Sequence, residues 1–147
     1  MRLQLALNVS DLDKAVDFYS RMFGIEPAKT RPGYANFAID QPPLKLVLFE
    51  GQGDPGSLNH LGVETETADE VVAAEARLTG TGLETTGVAD TECCYAAKTE
   101  TWLTGPDGAR WEWYVKTGDT EQFSNVAVTT ADDTGASCAA DGGTCCA

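Results

Sequence analysis

The sequence predicts an α+β fold: two βαβββ modules, about 1–55 and 56–117, sharing one curved mixed sheet, followed by a flexible tail over 118–147. Three observations lead there. The order strand, amphipathic helix, three strand-like runs occurs twice along the chain. A module this short cannot bury its own apolar face, so the two must pack into one unit. Beyond Thr117 the composition shifts to Gly, Ala, Ser, Thr and Asp, with no Lys or Arg and no sustained period.

In the first module, 2–9 (RLQLALNV) alternates as a strand. Leu3, Leu5, Leu7 and Val9 mark one face, and Gln4, Ala6 and Asn8 the other. Ser10 or Asp11 then caps a helix over 12–23, with Leu12, Ala15, Val16, Tyr19 and Phe23 as its apolar residues and Gly24 closing it. Strand-like runs follow around 27–30, 34–39 and 44–50, separated by Pro32-Gly33 and Pro42-Pro43. In the second module, 57–64 (SLNHLGVE) is a strand and 68–78 a helix ending near Gly80 and Gly82. Strands are expected around 84–88 and 99–104. The turn Pro106-Asp107-Gly108 leads into an alternating strand at 110–116 (RWEWYVK). Between these, 88–98 reads as a long irregular loop and is expected to act as a mobile lid.

Composition narrows the function. The chain of 147 residues carries a net charge of −13. That argues against partners that need basic patches, nucleic acid and anionic membrane surfaces. The first residues are too polar for a secretory signal, and no apolar run approaches a membrane span. These features point to the cytoplasm. Five cysteines are an odd number without the spacing of a disulfide framework. Reduced thiols with redox, metal-binding or metalloid-binding roles are expected.

Laying the modules on each other sets QLALN at 4–8 against HLGVE at 60–64, and LKLVLFE at 44–50 against RWEWYVK at 110–116. Gln4 and His60 then occupy equivalent places, and Glu112 falls opposite Leu46, which cannot ligate. If the repeat is a pseudo-two-fold, Gln4, His60 and Glu112 converge on its axis. An O/N/O set of this kind suits Fe(II), Mn(II), Ni(II) or similar ions and leaves open coordination positions. Each residue also has a plain structural reading: a lone strand histidine satisfied in the core, a glutamine near a terminus, a glutamate facing solvent. What joins them is the repeat, and His60 is the single histidine of the chain.

Cys93 and Cys94 are adjacent, and a disulfide between neighbours is hard to close, because Cα atoms about 3.8 Å apart fall below the usual disulfide range. Such a pair can be two small buried apolar residues. It can also bond one thiophilic centre, such as trivalent arsenic with one organic substituent. Cu(I) or Zn(II) also accept thiolates, but two cysteines without a nearby histidine leave a zinc site incomplete. Tyr34, Phe37, Tyr95, Trp102 and Trp113 are candidates for pocket walls and equally for core. Cys138, Cys145 and Cys146 lie in the tail.

The paired modules resemble the vicinal oxygen chelate superfamily of glyoxalases, extradiol dioxygenases and bleomycin- or fosfomycin-resistance proteins. Within it QLALNV, RPGYANFAI, PPLKLVL, LNHLGVE, the adjacent ECC and GPDGARWEWY are similar to the ArsI-type carbon–arsenic lyases, over about Arg2–Tyr114. The resemblance implies cleavage of the carbon–arsenic bond of trivalent organoarsenicals, such as methylarsenite and trivalent aromatic arsenicals, giving arsenite. It implies Fe(II) as cofactor and O₂ as co-substrate, with Ni(II), Mn(II) or Co(II) able to occupy the site in a purified sample. It implies Gln4, His60 and Glu112 as metal ligands and Cys93 and Cys94 as the arsenic-binding pair, all five taking part in catalysis. A glyoxalase would offer a fourth ligand where Leu46 sits, and an extradiol enzyme a second histidine where Gln4 sits. The alternative is a non-catalytic protein sequestering a thiophilic toxicant or drug on the same fold. Whether the modules pair within one chain or swap across a homodimer stays open at this level.

Overall fold

The computed structural model describes residues 1–128. The tail cysteines Cys138, Cys145 and Cys146 lie outside them. The elements run β1 (Arg2–Val9), α1 (Leu12–Phe23), β2 (Lys29–Arg31), β3 (Tyr34–Ile39), β4 (Leu44–Glu50), β5 (Leu58–Glu64), α2 (Ala68–Gly80), β6 (Ala89–Cys93), β7 (Ala96–Thr104), β8 (Arg110–Asp119) and β9 (Val126–Ala127). One curved mixed sheet has the order β2-β3-β4-β1-β5-β8-β7-β6-β9. Each module contributes four consecutive strands, and β1 pairs antiparallel with β5 at the seam, so the modules join within one chain. Inside each module the first and last strands pair in parallel, β1 with β4 and β5 with β8.

The helices cover the outer face. Asp11 caps α1 by accepting from the Lys14 N–H, and Gly24 ends it in the left-handed region at φ 67°. Its apolar stripe packs with Phe37, Ile39, Leu46 and Leu48 of β3 and β4. Thr67 and Glu70 form a capping box on α2, whose Val71, Ala74 and Leu78 are buried. None of the helices among the described residues is long and apolar enough to cross a membrane. On β1 the more buried face is the polar one: Gln4, Ala6 and Asn8 are buried, while Leu5 and Leu7 are only partly so. A face of polar residues sealed from water at the centre of a sheet needs a reason beyond packing.

Three expectations change. Residues 84–88 are irregular, and the strand comes later, at Ala89–Cys93. Gly82, just before that stretch, and Gly87, within it, adopt positive φ of 86° and 77°, which breaks a regular extended run. Where an irregular loop is expected over 88–98 there is a β-hairpin of β6 and β7, with Cys94-Tyr95 as its two-residue turn. The boundary expected at Thr117 falls inside β8. The chain then returns so that Phe123 packs on the inner cluster and β9 pairs with β6.

Candidate metal and thiol site

Gln4, His60 and Glu112 sit on three neighbouring strands, β1, β5 and β8. In the ladders Gln4 faces Gly62, and Gly62 faces Glu112. His60 stands two residues from Gly62, on the same face of β5. The glycine explains why the outer two can meet across the middle strand. A Cβ there would come within 3.1 Å of Gln4 Nε2, 3.2 Å of Gln4 Cβ and 3.2 Å of the Glu112 carbonyl oxygen. All three side chains are buried, at 3%, 4% and 0% exposure.

Their polar atoms converge. Gln4 Nε2 lies 2.9 Å from His60 Nε2 and 3.0 Å from Glu112 Oε2, and His60 Nε2 is 3.4 Å from Glu112 Oε2. Around one divalent ion, ligand atoms at about 2.0–2.2 Å stand roughly 3–3.5 Å apart, which matches the separation of His60 Nε2 from Glu112 Oε2, while Gln4 presents its amide nitrogen rather than its oxygen. Hydrogen bonding also sets the histidine tautomer. Asn59 Nδ2 donates to Asn8 Oδ1 at 2.9 Å, which leaves Asn59 Oδ1 to accept from His60 Nδ1 at 2.7 Å. The Nε2 lone pair is thereby aimed at the shared centre, as metal coordination requires.

The second carboxylate oxygen of Glu112 is taken by Lys98, whose Nζ donates at 2.6 Å. Burial pushes the Glu112 carboxyl up, but the Lys98 ammonium outweighs it and holds the group well below the ordinary carboxylate range. Burial pulls Lys98 down, and Glu112, Cys94 and Glu100 overcome that and raise it. Glu100 behaves oppositely to Glu112: burial first, and the neighbouring Glu112 charge second, lift its carboxyl to about 7. On the other flank, Tyr114 donates its hydroxyl to Gln4 Oε1 at 2.6 Å and accepts from Lys45 Nζ at 2.9 Å.

The repeat equivalence of Glu112 with Leu46 is corrected by the ladders. Gln4 pairs with Lys45 and Gly62 with Glu112. With Gln4 matched to His60, the counterpart of Glu112 is Val47. A one-residue slip turns a strand side chain to the opposite face. Leu46 accordingly packs under α1, while Lys45, Val47 and Phe49 line the inner cavity. Val47, like Leu46, has no atom that can ligate.

The cysteine pair is buried beside this face. Cys94 lines the same small cavity as Gln4, His60, Lys98 and Tyr34. The Cys93 and Cys94 sulfurs are 2.8 Å apart, well beyond a sulfur–sulfur bond. Cys93 is disulfide-bonded in the structure, so the pair offers two thiols only once that bond is reduced. Cys94 and Tyr95 adopt φ of 56° and 61°, left-handed values that disfavour residues with a Cβ. The turn is held from the C-terminal side: the Cys94 and Tyr95 N–H groups donate to the Phe123 and Gln122 carbonyls at 2.9 and 2.8 Å.

Among the aromatic candidates, Tyr34 and Tyr95 border the cysteines, with ring centroids 5.7 Å apart. Trp102 packs edge-on against His60 at 5.1 Å. Phe37 belongs to the core beneath α1, and Trp113 lies under Arg77. Sequence reasoning missed Lys98, Glu100, Tyr114, Lys45 and Asn59 as parts of the site, and Phe49 and Phe123 as walls. A signal for two of them was present, since Lys98, Glu100 and Trp102 alternate on one face of β7.

Comparisons with known proteins agree with this architecture. The model of the Glyoxalase/Bleomycin resistance protein/Dioxygenase superfamily matches residues 3–113. The chain is 50% identical, over 149 aligned residues covering 99% of each chain, to a trivalent organoarsenical cleaving enzyme of Thermomonospora curvata. It is 56% identical, over 84% of its length and 82% of the relative, to the cadmium-induced protein CadI of Mycobacterium bovis. The fold is also that of a Mn(II)-bound glyoxalase from Novosphingobium aromaticivorans, with a TM-score of 0.58 and 18% identity, covering 82% of this chain and 41% of that one. A curved sheet of two paired modules, a full-length relative at half identity and a family model spanning both modules together establish that the chain belongs to the glyoxalase/bleomycin resistance protein/dioxygenase superfamily.

Proposed function

We propose that the protein cleaves the carbon–arsenic bond of trivalent organoarsenicals and releases arsenite, with Fe(II) held by Gln4, His60 and Glu112 and O₂ as co-substrate. The observation that carries this reading is that Cys94, half of a vicinal pair, lines the same cavity as Gln4 and His60. The organoarsenical-cleaving activity named for the Thermomonospora curvata relative supports it.

The residues divide the work. An arsenical with one carbon substituent has two exchangeable positions. Each Cys thiol displaces one hydroxide as water, so two As–S bonds form and two As–O bonds break. Lys98 lies in the same cavity as Cys94 and supplies a buried counter-charge for a thiolate. The apolar group on arsenic faces the rings of Tyr34, Phe49, Tyr95 and Phe123, which contact one another around the cysteines. Capture of this kind fixes the arsenic-bound carbon against the metal-binding face, and proximity alone lowers a barrier by several kcal/mol, on the order of 7–11 at best. The iron, when bound, would supply activation of O₂ for oxidation of that carbon. The stoichiometry closes: methylarsenous acid plus one O₂ contains the atoms of formaldehyde plus arsenous acid. The need for two thiols fits the reducing cytoplasm, where we place the protein.

X-ray absorption at the arsenic edge tests the reading. The reduced, iron-loaded protein under argon should show two As–S bonds and one As–C bond with methylarsenite, and admission of air should remove the As–C bond. A second reading, sequestration without chemistry, draws on the same vicinal sulfurs. It predicts an As–C bond that survives air.

A further inference from the structure

We propose that Tyr114 latches the Gln4 side chain in an orientation that cannot bind a metal, and that the amide must rotate by about half a turn to present its oxygen to an ion shared with His60 and Glu112. Tyr114 is then a positioning residue that sets the affinity of the site. The inference rests on the reading of Gln4, His60 and Glu112 as metal ligands.

A carboxamide binds a metal through its oxygen, because the nitrogen lone pair is delocalised and its hydrogens are donors. Here the nitrogen points into the centre. Gln4 Nε2 is 2.9 Å from His60 Nε2 and 3.0 Å from Glu112 Oε2, whereas Gln4 Oε1 points away, accepting from Tyr114 at 2.6 Å. The partners fix this assignment. His60 Nε2 is an acceptor because Nδ1 donates to Asn59, and the Glu112 carboxylate accepts only. Two acceptors need the NH₂ group between them. Its two hydrogens cover the lone pairs that a cation would otherwise receive.

Turning the amide alone would set three acceptors against one another, so the turn is favourable only when a cation enters between them. On the far side, Nε2 would then donate to the Tyr114 oxygen. That oxygen already accepts from Lys45, which is ion-paired to Glu64 at 3.3 Å and is a donor only. A hydroxyl oxygen can accept twice, but the hydroxyl proton loses its acceptor. Metal entry therefore strands one buried donor at Tyr114. In Tyr114→Phe the balance differs. Gln4 Oε1 lacks its partner before the turn, one Nε2 hydrogen lacks its partner after it, and the two effects offset. Removing the hydroxyl should tighten metal binding, on the order of tenfold. A residue that merely packs or supports the site would weaken binding when trimmed.

The test is titration of the chelator-treated, full-length protein with Mn(II), without arsenical, reading free Mn(II) by electron paramagnetic resonance. Tyr114→Phe should bind about tenfold more tightly than wild type, and His60→Ala more weakly. If Tyr114→Phe binds equally or more weakly while His60→Ala loses affinity, the latch is wrong and the ligand reading stands. If His60→Ala binds as wild type does, the ligand reading itself falls, and the latch with it. Should Tyr114→Phe fail to fold, nuclear magnetic resonance of the wild type with Zn(II) decides. The Gln4 side-chain NH₂ should lose its contacts to the His60 ring and gain contacts to the Tyr114 ring. An unchanged pattern with Zn(II) bound overturns the proposal.

Discussion

Lys98 Nζ stands 2.6 Å from Glu112 Oε1, so the carboxylate is divided: one oxygen belongs to the ammonium, and the other faces Gln4 and His60. Both side chains are buried. The ion pair thereby fixes which oxygen is presented to the shared centre.

Lys98→Met should be strongly destabilising at neutral pH, by roughly 3–5 kcal/mol, because it strands a buried carboxylate. Adding Glu112→Leu should recover most of that loss, since both charges then go. Chemical denaturation of the three proteins checks this. The pH dependence follows from the directions of the shifts. Glu112 is held below its unfolded value, so its contribution is present above the ordinary carboxylate range and is lost as pH falls through its lower folded value. Lys98 is held above its unfolded value, so its contribution is complete below the ordinary lysine range and is lost only as pH rises through its higher folded value. Glu100, lifted to about 7, adds the opposite slope, its contribution falling as pH rises from the ordinary carboxylate range through about 7. The Glu112 contribution is therefore read in acid, below the ordinary carboxylate range, where the double variant should lose part of the wild-type decline.

Asn59→Leu should weaken Mn(II) binding by about 10–100-fold with little change in fold, because His60 loses the acceptor that sets its tautomer. Equilibrium dialysis reads the affinity. Gly62→Ala should act through geometry instead, since its Cβ would arrive 3.1 Å from Gln4 Nε2 and displace that amide.

How much of this could be read from residues alone depends on where the determinants lie. The strand over Arg2–Val9 and the helix over Leu12–Phe23 are legible because alternation, Asp11 and Gly24 are local signals. Gln4 and His60 are legible through the repeat. The match of Glu112 to Leu46 fails by one residue because pairing register comes from the ladder, which sequence spacing does not reveal. The hairpin over 89–104 is illegible for a different reason. Its turn, Cys94-Tyr95, carries neither Gly nor Asn and is held by carbonyls near residue 122, a long-range cause. Lys45 and Lys98 look like solvated charges until the sheet curls around them.

Removing everything after Thr117 should loosen the cysteine turn. The shorter form loses the carbonyls of Gln122 and Phe123 and the pairing of Asp119 with Ala96. Hydrogen exchange at the Cys94 and Tyr95 amides should rise at least tenfold over the full-length rate in the shorter form. Equal rates in the shorter and full-length proteins would show that the carbonyls of Gln122 and Phe123 do not hold the turn.

Cys93→Ser, Cys94→Ser and the double variant should lose arsenical binding to nearly the same extent, by orders of magnitude. The second As–S bond forms at high effective concentration, so either thiol is needed for the chelate. Wild-type capture should require a reductant, since Cys93 is disulfide-bonded in the structure. Binding measured with and without reductant, and across the three variants, checks both points.

The most direct measurement is arsenite release from methylarsenite by the reduced, Fe(II)-loaded protein, in air and under argon, alongside a folded His60→Ala variant. The account predicts release in air, none under argon, and none from His60→Ala in air. Methylarsenite that stays bound and intact in air, or release that proceeds equally under argon or with His60→Ala, would contradict it.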